Sequence, residues 1–181
     1  MSELNEAWAL GLAEAEARAR AMGRTDIADY LALRSSNDLI RKVASEWLLT
    51  LFVSAAGEAN RTNAAIQIST DDAHRFKVGN ARMLGSGLSL KRGVRVLLVE
   101  VGWPRTPRDG FIRGGGLACG NIKHLGIKLA NEALRLTLDD SGTPSWMVEV
   151  KQGPPRELHE TDVQDHLAIL LSDSRNPPRR S

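Results

Sequence analysis

Apolar positions change their spacing along this chain, and the changes mark out its elements. From residue 3 to residue 22 they recur every four positions, at Leu4, Trp8 and Leu12, and an Ala/Glu/Arg run of high helix propensity follows. The pattern predicts a helix ended by Gly23. Thr25 then caps a short second helix carrying Ile27, Tyr30, Leu31 and Leu33. The polar cluster Ser35-Ser36-Asn37 predicts the start of a third, longer helix reaching about Ala56, with Leu39, Val43, Trp47 and Leu51 along one stripe. Gly57 and Asn60 stop it.

From Ala64 the period becomes two. Ile66 and Ile68 alternate with polar residues, Asp71-Asp72 breaks the run, and Phe76 and Val78 resume it. Met83 to Leu90 is strand-like, and a turn at Lys91-Arg92-Gly93 leads into the most apolar strand, Val94 to Trp103. Val94, Val96, Leu98 and Glu100 share one face of it; Arg95, Leu97, Val99, Val101 and Trp103 share the other. Both faces are mostly apolar, which predicts a central strand covered on both sides. Pro104 and Pro107 end the ladder, and Asp109-Gly110 predicts a turn into a returning strand at Phe111-Ile112. The run Leu117 to Leu129 fits strand or helix. Leu134, Leu136 and Leu138 alternate, as do Trp146, Val148 and Val150, which predicts a hairpin about a turn at 139–145. Thr161-Asp162-Val163-Gln164 reads as a capping box opening a final helix with Val163, Leu167, Leu170 and Leu171 on one face.

The expected fold is α+β: three N-terminal helices, a largely antiparallel curved sheet, and one C-terminal helix. Residues 1–60 form a helical segment that packs on the sheet or on a partner, 61–172 a β-rich region with its closing helix, and 173–181 a disordered tail rich in proline and arginine.

Charge changes this picture more than composition does. The 181 residues carry a formal net charge of +2. Residues 61–126 nevertheless hold 11 basic and 4 acidic side chains, whereas 1–60 hold 6 and 9. The basic excess falls on the strands and turns around the central strand. Lys91, Arg92, Arg105, Arg108 and Arg113 stand in those turns and are the candidate anion-binding residues. A single cysteine, Cys119, excludes an internal disulfide framework and fits a reducing compartment. No secretory signal or span-length apolar run is present, so a cytoplasmic location is expected.

Candidate chemistry is sparse. The four histidines are scattered in sequence and predict no metal site. Arg113-Gly114-Gly115-Gly116 misses the spacing of dinucleotide and phosphate loops, and a bulge or tight bend explains it instead. Glu100 is a carboxylate among apolar neighbours, which calls for a salt-bridge partner or a wet strand end. The clearest pattern is Asp139-Asp140 followed by Glu149-Val150-Lys151. With Asp140 and Glu149 holding a magnesium ion and Lys151 orienting a water, this spacing resembles the PD-(D/E)xK nuclease superfamily over about thirty-five residues, although no proline precedes the aspartate. The resemblance implies a magnesium-dependent nuclease.

The leading expectation is a non-enzymatic binding or assembly module whose basic sheet surface meets an anionic partner, nucleic acid or protein, with no cofactor. The nuclease, with magnesium, is the alternative. Self-association through the N-terminal helices is a third reading.

Overall fold

The computed structural model describes residues 3–172, with side chains from residue 6; the expected tail, 173–181, lies outside them. Two N-terminal helices are present rather than three: α1 (Glu3–Ala21) and α2 (Thr25–Arg61). The junction between them is a glycine-ended helix cap. Gly23 donates to Arg20 O and Arg24 to Ala19 O, so carbonyls left over at the end of α1 are satisfied. Ser35-Ser36-Asn37 starts nothing, because it lies inside α2. Serine and asparagine cost a helix only tenths of a kcal/mol each, and strong helix formers flank them (roughly 0.7 at most). Gly57 is internal too. The helix ends four residues later on the same kind of cap, with Asn63 at φ 63° in the position glycine usually takes.

The chain divides into two compact units, Met1–Val43 and Ala44–Ser181, so the boundary falls within α2 and not at its end. In the first unit the helix pair brings Trp8 beside residues of α2. Its indole Nε1 donates to Asp38 Oδ2 at 3.4 Å, and the Arg34 guanidinium lies 5.1 Å from the ring centroid. Asp38 is also paired with Arg41 at 2.7 Å. Leu12, Ala19 and Ala28 are buried, but several larger apolar side chains of this unit are not.

The second unit is built on a seven-stranded antiparallel sheet in simple sequence order: β1 (Gln67–Val78), β2 (Ala81–Arg92), β3 (Arg95–Trp103), β4 (Ala118–His124), β5 (Glu132–Leu138), β6 (Pro144–Glu149) and β7 (Arg156–Glu157). It is open, with β1 and β7 at its edges. The Asp71-Asp72 break is a bulge within β1, since Asp71 pairs with Gly87 and His74 with Gly85. The β5–β6 hairpin is present as expected, and it pairs Leu136 with Trp146.

Residues 104–117 differ from expectation. Phe111-Ile112 forms no strand. Thr106 N–H and Oγ1 both donate to Asp109 Oδ2, at 2.9 and 2.8 Å, and this closes a short 3-10 turn over Pro107–Asp109. The proline at its first position suits that turn, and the loop rejoins the sheet only at Leu117 N–H to Leu136 O.

One sheet face is the core. Leu88, Leu90, Leu97, Val99, Val101, Ile122, Leu136 and Trp146 are buried on it. Trp146 Nε1 donates to Ala44 O of α2 at 2.9 Å, and Phe52 of α2 lies against His166 of α3 (Glu160–Leu171). The start of α3 is fixed by Asp162, whose carboxylate accepts from His159 N–H at 2.8 Å and from Arg156 at 2.7 Å, a cap slightly upstream of the expected Thr161. Its end is held by Arg95, which donates to Ile169 O and Ser172 Oγ, and by Arg92, which donates to Leu171 O. Cations there satisfy unpaired carbonyls and oppose the negative end of the helix dipole. Among the described residues no helix is long and apolar enough to cross a membrane.

Candidate functional site

Cross-strand register places Asp71, Gly87, Glu100, Asn121, Ala133 and Glu149 in one row on the face opposite the core. His74, Gly85, Gly102, Cys119 and Arg135 form the next row. Glu100 is therefore central on this second face, yet it is only 4% exposed. The expected salt-bridge partner is a lysine, and Glu100 does not lie at a wet strand end. Lys123 Nζ pairs with Oε2, Asn121 Nδ2 donates to Oε2 at 3.1 Å, and His74 Nε2 meets Oε1 at 2.8 Å. Burial pushes the Glu100 carboxyl up, but these hydrogen bonds and the Lys123 charge outweigh it and hold the group below the ordinary glutamate range.

His74 reaches Glu100 across β2 because residue 87 is glycine. A Cβ there would lie 2.9 Å from the His74 ring. The other ring nitrogen, Nδ1, is 3.3 Å from Asp71 Oδ2, so the bulge in β1 brings an aspartate and a histidine to the same centre. Sequence spacing could not show this set, because its members come from three strands and a glycine makes the room.

Beside this polar centre the face is apolar. Phe76, Ala81, Met83 and Cys119 form a small buried cluster with Val78 and Ile112 against it, and His74 stacks on Phe76. Burial pushes the Cys119 thiol up to about 11, which keeps it protonated and a weak nucleophile. The 104–117 loop stands beside this cluster, and together they border a cavity of about 790 Å³ that also includes Phe111, Arg135 and Glu149. Arg135 passes beneath the loop, donating to Arg113 O and Gly114 O at 3.2 and 3.1 Å and pairing with Glu149 at 2.7 Å. A side chain at residue 114 or 116 would collide with it, so the Gly114–Gly116 run makes way for an arginine.

A second depression, about 380 Å³, lies at the β1–β2 end of the sheet. Arg75, Lys77, Arg82 and Arg105 line it together with Asp109. The Arg105 guanidinium sits 4.1 Å from the Trp103 ring centroid, which fixes its position. Hydrogen bonds from Thr106 hold the Asp109 carboxyl below the ordinary aspartate range, with Arg82 adding to the effect.

The structure scatters the residues expected to act together. Asp140 lies in the β5–β6 turn, whose organiser is Asp139, an acceptor for Ser141 and Thr143. Glu149 pairs with Ala133 and is five residues along β6 from Pro144, roughly 17 Å at strand rise. One magnesium ion cannot bridge Asp140 and Glu149, Glu149 is paired with Arg135 instead, and Lys151 is exposed beyond the end of β6. The nuclease geometry is thus not assembled. Lys91 and Arg92 lie at one end of β3, whereas Arg105, Arg108 and Arg113 follow its other end, roughly 27 Å away at strand rise. Arg92 is occupied at α3 and at Ala64 O, Arg108 and Arg113 are exposed, and only Arg105 of the five lines the basic groove.

On the core face two of the four scattered histidines meet. His124 Nε2 and His166 Nδ1 are 2.9 Å apart, and His166 Nε2 faces Glu132 Oε2 at 3.3 Å. Both rings are buried. Among the described residues no group of three or more His, Cys, Asp or Glu side chains is arranged to hold a metal ion. Compared with protein-family models, curated proteins and solved structures, the chain matches none of them.

Proposed function

We propose that the chain is a non-enzymatic binding module that holds a nucleic-acid strand by its phosphates. The observation that carries this reading is the convergence of Arg75, Lys77, Arg82 and Arg105 on one groove, where the acidic residue, Asp109, is already engaged by Thr106. Four cations, three on the neighbouring strands β1 and β2 and one in the loop after β3, suit a string of phosphates better than a single small anion. Trp103 pre-positions Arg105, which lowers the ordering cost of binding. The groove presents charge and no nucleophile.

The test is fluorescence anisotropy with labelled single-stranded and duplex oligonucleotides across a salt series. With about four phosphates neutralised, duplex affinity falls roughly a hundredfold between 50 and 200 mM salt. Charge reversal at Arg75 and Arg82 removes binding and leaves the circular dichroism spectrum unchanged. An absence of binding at low salt by the wild-type chain would refute the reading.

Self-association through the N-terminal helical unit is a second reading. It rests on Leu10, Tyr30, Leu33, Leu39 and Val43, each more than half exposed. Apolar side chains in that number on one small helical unit mark an interaction surface. A monomer mass by light scattering at high protein concentration would exclude it.

A further inference from the structure

The end of the sheet opposite the basic groove carries a different surface. Arg82 of the groove and Lys91 stand nine residues apart on β2, roughly 30 Å at strand rise. Two connections meet at the Lys91 end. Gly93, at φ 57°, takes the first position of a two-residue turn between the paired Arg92 and Arg95, and Val94 takes the second. Leu125 N–H donates to Val96 O at 3.0 Å, which continues β4 beside β3 beyond His124. Register therefore sets Lys91, Val96 and Leu125 in one row on the second face. The loop then folds through a 3-10 turn over Lys128–Ala130, held by the buried Ala130 and by Asn131 Oδ1, which accepts from His124 N–H at 2.8 Å.

These connections expose aliphatic side chains. Leu129 and Val94 are 93% and 91% exposed, the highest values of any large apolar residue among those described, and Leu125 is 59% exposed. Turn chemistry does not call for valine or leucine there, since glycine, asparagine, aspartate and serine serve such positions better. The charge around them is one-sided. Residues 91–96 and 123–131 hold five cations, Lys91, Arg92, Arg95, Lys123 and Lys128, and no carboxylate. The connections 61–66 and 150–155 at the same end also lack one. Lys123 is paired with Glu100, and Arg92 and Arg95 hold α3 carbonyls. Lys91 and Lys128 are exposed and enter no ion pair among the described residues. Glu132, which follows the loop, faces His166 and Arg156. The carboxylates of α3 fall in its first half, where Asp162 and Asp165 act on Arg156, while the other end of the helix meets Arg92 and Arg95.

Exposed aliphatic tips beside free lysines fit one partner best. A protein interface concentrates aromatic residues, methionine and arginine, and is depleted in lysine. A nucleic-acid strand needs rings to stack on, and these turns expose none. An anionic bilayer accepts both features, because aliphatic tips enter the boundary between headgroups and acyl chains while lysines meet the negative surface. Residues 173–181, which follow α3, contain no aliphatic or aromatic side chain except two prolines, so the chain's own tail does not suit the tips. We infer that Val94, Leu125 and Leu129 dip into the surface of an anionic phospholipid bilayer, with Lys91 and Lys128 against its headgroups. This surface is independent of the phosphate-binding groove, and a peripheral contact of this kind needs no spanning helix.

The experiment is co-sedimentation of the full chain with phosphatidylcholine vesicles, with and without phosphatidylserine as about a third of the lipid. The chain sediments with the anionic vesicles and not with the neutral ones. Lys91→Ala with Lys128→Ala weakens that binding roughly 30-fold, about fivefold for each cation. Val94→Ser with Leu129→Ser weakens it by about tenfold or more. All four residues are exposed, so circular dichroism of these variants matches wild type. Leu129→Trp gives the direct signature, an added emission that shifts to the blue on anionic vesicles and is quenched by brominated acyl chains. An absence of sedimentation at low salt overturns the inference. So does binding that the serine pair leaves unchanged, which is adsorption by charge alone. Binding lost on charge reversal at Arg75 and Arg82 but kept in the loop variants assigns the lipid to the groove and overturns it too. A dimer in light scattering that the serine pair converts to monomer means that the tips meet a second copy, which also overturns it.

Discussion

The two faces of the sheet treat polar groups in opposite ways. On the core face, between the sheet and the helices α2 and α3, the main polar feature is a linear chain from His124 through His166 to Glu132, roofed by Phe52. On the other face a single carboxylate, Glu100, gathers a lysine, an asparagine and a histidine around it, and the cavity beside the 104–117 loop adjoins the same face. The core face binds secondary-structure elements to one another. The second face surrounds one buried carboxylate with its partners, and the exposed cations Arg75, Lys77 and Arg82 stand at the end of the core face instead, by their register with Leu84 and Trp103. The contrast is between polar groups that link elements and polar groups that surround one charge.

Substitutions test that division, and the largest effect belongs on the core face. Trp146→Ala removes a 2% exposed ring and its bond to Ala44 O, and should destabilise the fold by about 3–5 kcal/mol in urea unfolding. A loss below about 1 kcal/mol would mean that α2 is not anchored through this residue. His166→Leu removes the bonds to both His124 and Glu132 and should cost about 1–3 kcal/mol.

On the second face the effects are smaller and depend on pH. Gly87→Ala forces the His74 ring off Glu100 and should cost about 1 kcal/mol, the worth of one hydrogen bond. Because the Glu100 carboxyl sits below its ordinary value of about 4.5, its contribution is complete at neutral pH and is lost as pH falls from that value through the lower folded one. Glu100→Gln should therefore flatten the stability profile below about pH 4.5 and lower it above; a wild-type profile unchanged by the substitution would show that the cluster contributes nothing. The smallest change is expected back on the core-face helix α2, at Ser45, whose buried hydroxyl has no partner among the described residues. Ser45→Ala should be neutral or slightly stabilising.

How much of this was readable in the sequence depends on the range of the interaction. The β5–β6 hairpin and the final helix were legible, because alternation at Leu134–Leu138 and the stripe of Val163, Leu167 and Leu170 are local signals. The unbroken α2 was not. Ser35-Ser36-Asn37 is a good cap in isolation, and flanking helix formers overrode it. Phe111-Ile112 failed for a similar reason, since the Thr106–Asp109 turn and the Arg135 anchor decide that loop and only one of them is local. The site was hardest. Glu100 stood out as unexplained, but its partners come from β1 and β4, and His124 and His166 are 42 residues apart in sequence. Asp140 and Glu149 show the converse. Their close spacing in sequence suggested a shared ion, and the hairpin register keeps them apart.

The central claim is that the Arg75–Lys77–Arg82–Arg105 groove binds phosphates. Its most direct measurement is the salt dependence of duplex-oligonucleotide affinity for wild type and for Arg82→Ala. The account predicts a log–log slope near −3.6 for about four phosphate contacts, made shallower by about 0.9 when one cation is removed. A slope near zero, or one that Arg82→Ala leaves unchanged, would contradict it.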